Sequence, residues 1–397
     1  MAPYASDDTR GTAADENPRA GRRKAVRYVV PVAVTGVAAA TIGLVPALAS
    51  TGDPDLPKIS AQQLVEKIAS SDVQQLSGTV KISTDLGLPD LGGLESSLGG
   101  YGGHDGGSSA DPSSKLTELV SGTHTLRVAA DGPDKQKLSL RERGAEYSLI
   151  HNGKDVWGYD SGSNEVFHGT AEQHEQGKER EERKEERQGT PGDFAKEALK
   201  AVDDTTSVTV AGTERVAGRD AYKLQIKPKQ QGSTVGAVTI AVDAKTGTPL
   251  KFTLTAKSGG KPVVDTGFTQ VSFAKPSAST FDFTPPKGAK VTEEKDSDKG
   301  EHDQGLRELF GGAALGSDVI GKGWTSIATF DTGAKGGMPS GSAGGFLGSL
   351  GDPVTGDFGK GTVFSTRLVN ALITDDGKVY AGAVTKQALL KTANAEH

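Results

Sequence analysis

The sequence predicts an α+β fold dominated by an antiparallel sheet, and three observations predict it. The stretch from Thr205 to Lys287 alternates apolar and polar side chains at period two, which gives each strand one dry and one wet face. Short turn clusters at Ala217-Gly218, Ala244–Gly247 and Ser258–Gly260 cut that stretch into consecutive strands, so neighbours pair antiparallel. A helical pattern at Ile59–Val73 precedes it, with Leu64, Val65 and Ile68 on one face.

Taken in order, residues 1–28 are polar and then basic, with Arg19, Arg22, Arg23, Lys24 and Arg27, and lack periodicity. An uncharged apolar run follows at 29–49 and ends in Ala47-Leu48-Ala49. It suits either a signal peptide cleaved before Ser50 or a retained anchor, since it would span about 30 Å as a helix. Both alternatives place the rest of the chain outside the cytoplasm.

Ser60 is the expected N-cap of the first helix, and Leu76–Thr84 the first strand. Residues 86–115 form a Gly- and Ser-rich insert with too little apolar content to fold alone. Strands are expected at His124–Ala130, Gln136–Arg141, Glu146–His151, Asp155–Tyr159 and Glu165–His168. A second insert at 172–192 is almost purely charged, and a short helix at Phe194–Val202 follows it. The main sheet then runs through Val208–Pro228, Val238–Thr255, Thr266–Phe273 and Phe281–Thr284. The first domain thus occupies 50–292.

A charged linker at 293–305 leads to a small α+β module at 306–397. There the pattern predicts a strand over Gly321–Phe330, a helix over Thr366–Leu372, a hairpin turned at Asp375-Asp376-Gly377 and a final helix.

Composition narrows the chemistry. The 397 residues include no cysteine, which removes thiol nucleophiles, disulfides and thiolate metal sites. A net charge of −6 with both signs interspersed gives no basis for a nucleic-acid partner. The seven histidines are scattered, His168 and His174 reading as surface residues, so no metal or other cofactor is expected. Asp357-Phe358-Gly359 copies a kinase triplet but stands alone and reads as a turn. The one enzymatic alternative is a doubled Asp-Thr-Gly, at Asp265 and Asp331. An aspartic protease needs two such loops facing each other so that the carboxylates share a proton.

The aromatic and aliphatic residues suggest binding instead. Trp157, Tyr159, Leu224, Ile226, Ile240, Val242, Phe252 and Leu254 are the expected wall of a lipid-binding cavity, and no catalytic residue is assigned. Asn152–Val166, carrying G-K-D-V-W-G-Y-D, resembles the hairpin of the lipoprotein carrier LolA. Val216–Pro228 (V-A-G-R-D-A-Y-K-L-Q-I-K-P) and Ile240–Lys251 (with D-A-K-T-G-T-P-L-K) are similar to segments of the related sigma-regulatory proteins RseB and MucB. Pro285–Val291 resembles the segment that closes that family's sheet.

The resemblance implies an unclosed β-barrel of about eleven strands, with a helical plug and a hydrophobic cavity for lipid or lipoprotein acyl chains. It also raises the alternative of a regulator that docks a membrane partner such as an anti-sigma factor.

Overall fold

The computed structural model describes residues 53–87, 108–112, 115, 122–142, 144–170, 190–200, 202–293, 318–331 and 351–396. The basic terminus, the apolar run at 29–49, and most of the two inserts and the linker lie outside these residues.

Twelve strands make one open sheet. They are β1 (Gln75–Thr84), β2 (Gly122–Asp131), β3 (Lys135–Arg141), β4 (Glu146–Asn152), β5 (Asp155–Asp160), β6 (Glu165–Thr170), β7 (Thr206–Val216), β8 (Arg219–Pro228), β9 (Val235–Asp243), β10 (Pro249–Ala256), β11 (Val264–Ser272) and β12 (Lys290–Glu293). Their spatial order is β12-β6-β5-β4-β3-β2-β1-β11-β10-β9-β8-β7. Two meanders, β1–β6 and β7–β11, are therefore joined where β1 pairs with β11, and among the described strands β12 and β7 stand at the two ends without pairing to each other. All the ladders are antiparallel except the last, where β12 runs parallel to β6. The expected closing segment thus forms a twelfth strand at an edge.

Two helices lie against the sheet, α1 (Ala61–Ala69) and α2 (Pro191–Lys200). Ser60 caps α1 in a complete capping box: its hydroxyl accepts from Gln63 N, while the Gln63 side chain accepts from Ser60 N at 2.9 Å. Leu64 and Ile68 are the buried residues of that helix. The helix is shorter than Ile59–Val73, because Asp72 and Val73 leave the helical path before β1 starts. Helix α2 begins at Pro191, earlier than its apolar pattern, since proline is pre-set for a first helical turn.

Beyond the large sheet, six shorter strands form a second one: β13 (Asp318–Ile320), β14 (Ile327–Asp331), β15 (Asp352–Gly356), β16 (Gly359–Ser365), β17 (Asn370–Thr374) and β18 (Lys378–Gly382). Their order is β13-β14-β18-β17-β16-β15, and α3 (Lys386–Ala395) packs through Leu389 and Ala393. The two sheets are tied together at Gly232–Thr234, where Thr234 N donates to Ala383 O at 2.9 Å and Thr385 N donates to Gly232 O at 2.7 Å. Arg367 adds a clamp: its Nη1 reaches Asp85 Oδ2 at 2.8 Å and its Nη2 the carbonyls of Gly259 and Lys261.

Three expectations need correction. Thr366–Leu372 is a turn leading into β17, not a helix. Asn370, Leu372 and Thr374 are buried while Ala371 and Ile373 are half-buried, which is strand alternation, and the Asp375–Gly377 turn sends the chain back into β18. Phe281–Thr284 is not a strand. A 3₁₀ turn at Ala278–Thr280 precedes it, and Pro276, Pro285 and Pro286 around it have no N–H to give a ladder. Of Gly321–Phe330, only Ile327–Phe330 is strand, because Gly323–Thr325 forms a 3₁₀ turn.

Candidate functional site

The register shows which side chains share a surface. Across the ladders Leu224 faces Ile240, Ile240 faces Phe252, Phe252 faces Thr266 and Thr266 faces Ile82. The same face continues from Ile82 to Val80, then through Leu126 and Leu140 to Tyr147. One apolar surface therefore crosses both meanders.

Over β8–β10 this surface is a wall. Leu224, Ile226, Ile240 and Val242 have no exposed area and Phe252 has 5%, while Leu254 is half-buried at the margin. Leu64 and Ile68 of α1 and Ala195 of α2 complete this core, with Val65, Phe194 and Leu199 packed against it. Phe194 of α2 stacks on Phe252 with ring centroids 5.3 Å apart. Trp324, from the segment between β13 and β14, also packs here and donates from Nε1 to Thr206 Oγ1 at 2.7 Å. Six of the eight expected wall residues are thus assembled on one surface under two short helices.

Trp157 and Tyr159 are not among them. They face Ile150 and Ser148, one residue out of phase with Tyr147, and so lie on the opposite face of the sheet. There Trp157 stacks on His168 at 3.8 Å, and both aromatics touch Phe283, at 5.6 and 5.7 Å between centroids. His168, expected to be a plain surface residue, is a strand residue with 19% of its side chain exposed. Its Nδ1 lies 2.7 Å from Glu293 Oε2 and its Nε2 lies 3.2 Å from Asp155 Oδ1. Asp155 and Glu293 read in sequence as unrelated charges; the β5–β6 ladder brings Asp155 to His168 and the parallel β12–β6 pairing brings Glu293.

The two longest motifs meet in one device. Arg219 of V-A-G-R-D-A forms a bidentate ion pair with Asp243, the aspartate of D-A-K-T-G-T-P. Asp243, 1% exposed, also accepts from Lys245 N, Thr246 N and Thr246 Oγ1, which shapes the turn between β9 and β10. Burial raises the carboxyl, but the Arg219 hydrogen bond and the Thr246 donors outweigh it and hold it below its ordinary value. Next to Thr246, Gly247 has φ +76°, and a Cβ there would sit 2.3 Å from Lys67 O. Only glycine lets the last turn of α1 approach this closely. The motif residues therefore position a helix over the wall, and this could be found in sequence only as a pattern.

The far end of the Gly-rich insert is pinned to the same face. Glu165 Oε2 accepts from Ser108 Oγ at 3.0 Å and from Ser109 N at 2.9 Å, while Oε1 accepts from Lys290 Nζ at 2.9 Å. The Lys290 contact, then the serine donors, pull the Glu165 carboxyl down to about 2. Tyr147 Oη donates to Ala110 O at 3.1 Å, and Gly158 supplies the room, since a Cβ there would lie 2.3 Å from Ala110 O.

Alternative chemistries find little support. Asp265 lies within β11 opposite Ser83 and Thr253 and pairs with Lys251 at 3.2 Å, whereas Asp331 ends β14 of the other sheet. They do not form facing loops. Among the described residues no group of three or more His, Asp or Glu is placed to hold a metal ion, and no helix is long and apolar enough to cross a membrane. A shallow depression of about 470 Å³ beside α1 is lined by Pro57, Lys58, Gln63, Glu66, Lys67 and Tyr222 among others, and its lining is more polar than apolar.

No curated protein matches the chain. Among solved structures, the chain is similar to the MucA/MucB complex of Pseudomonas aeruginosa at 16% identity, covering 84% of this chain and 96% of that one with a TM-score of 0.39. An uncharacterized conserved protein from Thermus thermophilus matches at 13% identity, covering 59% and 99%, with a TM-score of 0.32. A LolA superfamily protein from Nitrosomonas europaea matches at 12% identity, covering 57% and 99%, with a TM-score of 0.22. In the large sheet the strands follow one another in an open, antiparallel order, with β12 added parallel at one end. Over residues 108–293, which take in β2 through β12, the sequence matches the family model described as a predicted periplasmic protein (DUF2092).

Proposed function

We propose that the chain is a non-enzymatic, extracytoplasmic lipid- or lipoprotein-binding protein. It takes acyl chains onto the wall of Leu224, Ile226, Ile240, Val242, Phe252 and Leu254. The observation that carries this reading is that, among the described residues, the apolar wall of β8–β10 is covered by side chains of two short helices of nine and ten residues and by Trp324. Helix α1 is held by polar ties, Tyr222 Oη to Pro57 O at 2.9 Å before it and Ser71 Oγ to Thr248 Oγ1 at 3.3 Å after it. The described side chains of α2 meet the wall through Phe194, Ala195 and Leu199, all apolar. In this reading helix α2 is the part of the plug that an acyl chain displaces. A sixteen-carbon chain offers about 12 kcal/mol gross at ~0.8 kcal/mol per methylene. The costs of displacing these side chains and ordering the ligand are drawn from that gross gain. The basic residues before the apolar run at 29–49, and the periplasmic description of the matching family, support a location outside the cytoplasm.

Native mass spectrometry of protein purified from membranes tests the reading, with co-purifying lipid as the expected result. Leu254→Glu, at the margin of the wall, is expected to abolish lipid uptake and leave soluble protein. Undiminished uptake by that variant would refute the choice of wall.

A second reading, a regulator that binds a membrane protein, is favoured by the edge of the small sheet. There Val319 on β13 is 57% exposed and Phe330 on β14 is 37% exposed, a surface suited to an added strand. Lipid-free protein that co-purifies with a stoichiometric membrane protein would favour this reading over the first.

A further inference from the structure

Within the apolar face one side chain is out of character. Thr266 has no exposed area, and its Oγ1 has no hydrogen-bond partner among the described residues. Other buried hydroxyls are paired: Ser139 with Ser148 at 2.9 Å, Ser233 with Ala383 O at 3.2 Å, and Thr374 with Lys378 O at 3.0 Å. Thr266 is the third residue of β11, between Val264, which packs on the β8–β10 wall, and Phe268, which packs with Val80 and Leu126. Phe252 and Ile82 flank it across the two ladders. It is thus at the seam of the two halves of the face. Valine has the same shape and would fill this place without an unpaired hydroxyl, which destabilises an apolar interior.

We propose that Thr266 Oγ1 is the polar contact for bound cargo, donating a hydrogen bond to the carbonyl oxygen of an esterified acyl chain. The inference rests on the acyl-binding reading of the wall and narrows it to a ligand class. One neutral donor among hydrocarbon matches one neutral acceptor at the root of an acyl chain. A free carboxylate would bring a charge that this face does not compensate, because the nearest charges on β10 and β11, Lys251 and Asp265, pair with each other on the other surface. The site therefore selects esters over both the bare hydrocarbon and the free fatty acid.

The test is displacement of a fluorescent apolar dye from the full chain by hexadecane, methyl palmitate and palmitate. Its companion measurement is the urea midpoint of each variant without ligand. Wild type is expected to prefer the methyl ester over the other two. Thr266→Val is expected to lose about fivefold in ester affinity, the worth of one neutral hydrogen bond, with hexadecane unchanged, and to unfold at a higher urea concentration. Thr266→Ser keeps the donor and is expected to keep the ester preference. Equal loss for ester and hydrocarbon in Thr266→Val, or no loss for either, overturns the role of the hydroxyl while leaving the wall standing. A lower urea midpoint for Thr266→Val also overturns it, since the hydroxyl would then be satisfied without cargo. If wild type takes up neither hexadecane nor the ester, the acyl-binding reading fails and this inference fails with it.

Discussion

The Arg219–Asp243 pair offers the sharpest test of how the motifs hold the sheet and its helix together. Asp243→Asn keeps the size of the side chain and one acceptor for the Lys245 and Thr246 donors, but removes the charge that Arg219 faces. Asp243 is 1% exposed on its side chain and Arg219 is 27%, so the lost pair is desolvated at one end and partly hydrated at the other. Removing one partner of a buried pair costs about 3–5 kcal/mol, and the hydration available to Arg219 puts this case at about 3. With a urea m-value of about 3 kcal/mol per molar, the unfolding midpoint should fall by about 1 M. The pH dependence supplies a second readout. The folded carboxyl is held below its unfolded value, so its stabilisation is fully present above about pH 4 and disappears as pH falls through the lower, folded value. The variant should therefore lose less stability than wild type on acidification over that interval. Arg219 also lies 4.6 Å from the Phe273 ring centroid, so Arg219→Met, which keeps the apolar stem, separates the charge from the packing. A midpoint unmoved by Asp243→Asn, with an acid limb like that of wild type, would refute the argument.

Other expectations follow from the same geometry. Glu165→Gln should loosen residues 108–110, giving faster proteolysis next to Ser108. Because the Glu165 carboxyl is drawn down to about 2, wild type should hold this segment until pH falls well below 4, whereas the variant should show no such acid transition. Ser60→Ala removes the capping box of α1 and should cost about 1 kcal/mol in urea unfolding. Ala217 turns β7 into β8 with φ +49° beside Gly218 at +77°, so Ala217→Asn, which tolerates that conformation, should raise stability by up to about 1 kcal/mol. Phe194→Ala weakens the hold of α2 on the wall, so lipid uptake should accelerate even as the empty protein becomes less stable.

Much of the sheet was legible because period-two alternation is a local property. The strands at 124–130, 136–141, 146–151, 155–159 and 165–168 each lie within an observed strand, and the hairpin turn at Asp375–Gly377 falls between β17 and β18. The misreadings have a common origin in signals too short to be decisive. Thr366–Leu372 is too short to separate a helical from an alternating pattern, and the buried amide of Asn370, donating to Val384 O at 2.6 Å, is a tertiary contact that no window contains. Phe281 and Phe283 alternate like a strand, yet the prolines on both sides leave no partner for a ladder. Lys290–Glu293 pairs parallel to β6, across 120 residues of chain, and nothing within either segment encodes that choice.

The candidate site divides along the same line. Alternation tells that two residues share a face of their own strand, but not which of the two faces of the sheet it is. Leu224, Ile226, Ile240, Val242, Phe252 and Leu254 lie on consecutive strands of one meander, where short turns transmit the phase from strand to strand, so their common face is legible in sequence. Trp157 and Tyr159 belong to the other meander, and the phase between the two depends on the β1–β11 ladder, whose partners are nearly 190 residues apart and whose register shifts at Thr79/Val80. That join places Trp157 and Tyr159 on the far surface and Thr266 at the centre of the near one. Thr266 was visible in the sequence as the middle of an Asp-Thr-Gly triplet, which drew the eye to Asp265. The neighbouring hydroxyl is the atom whose surroundings the fold leaves incomplete, and it gains a meaning only once Ile82 and Phe252 are seen on either side of it.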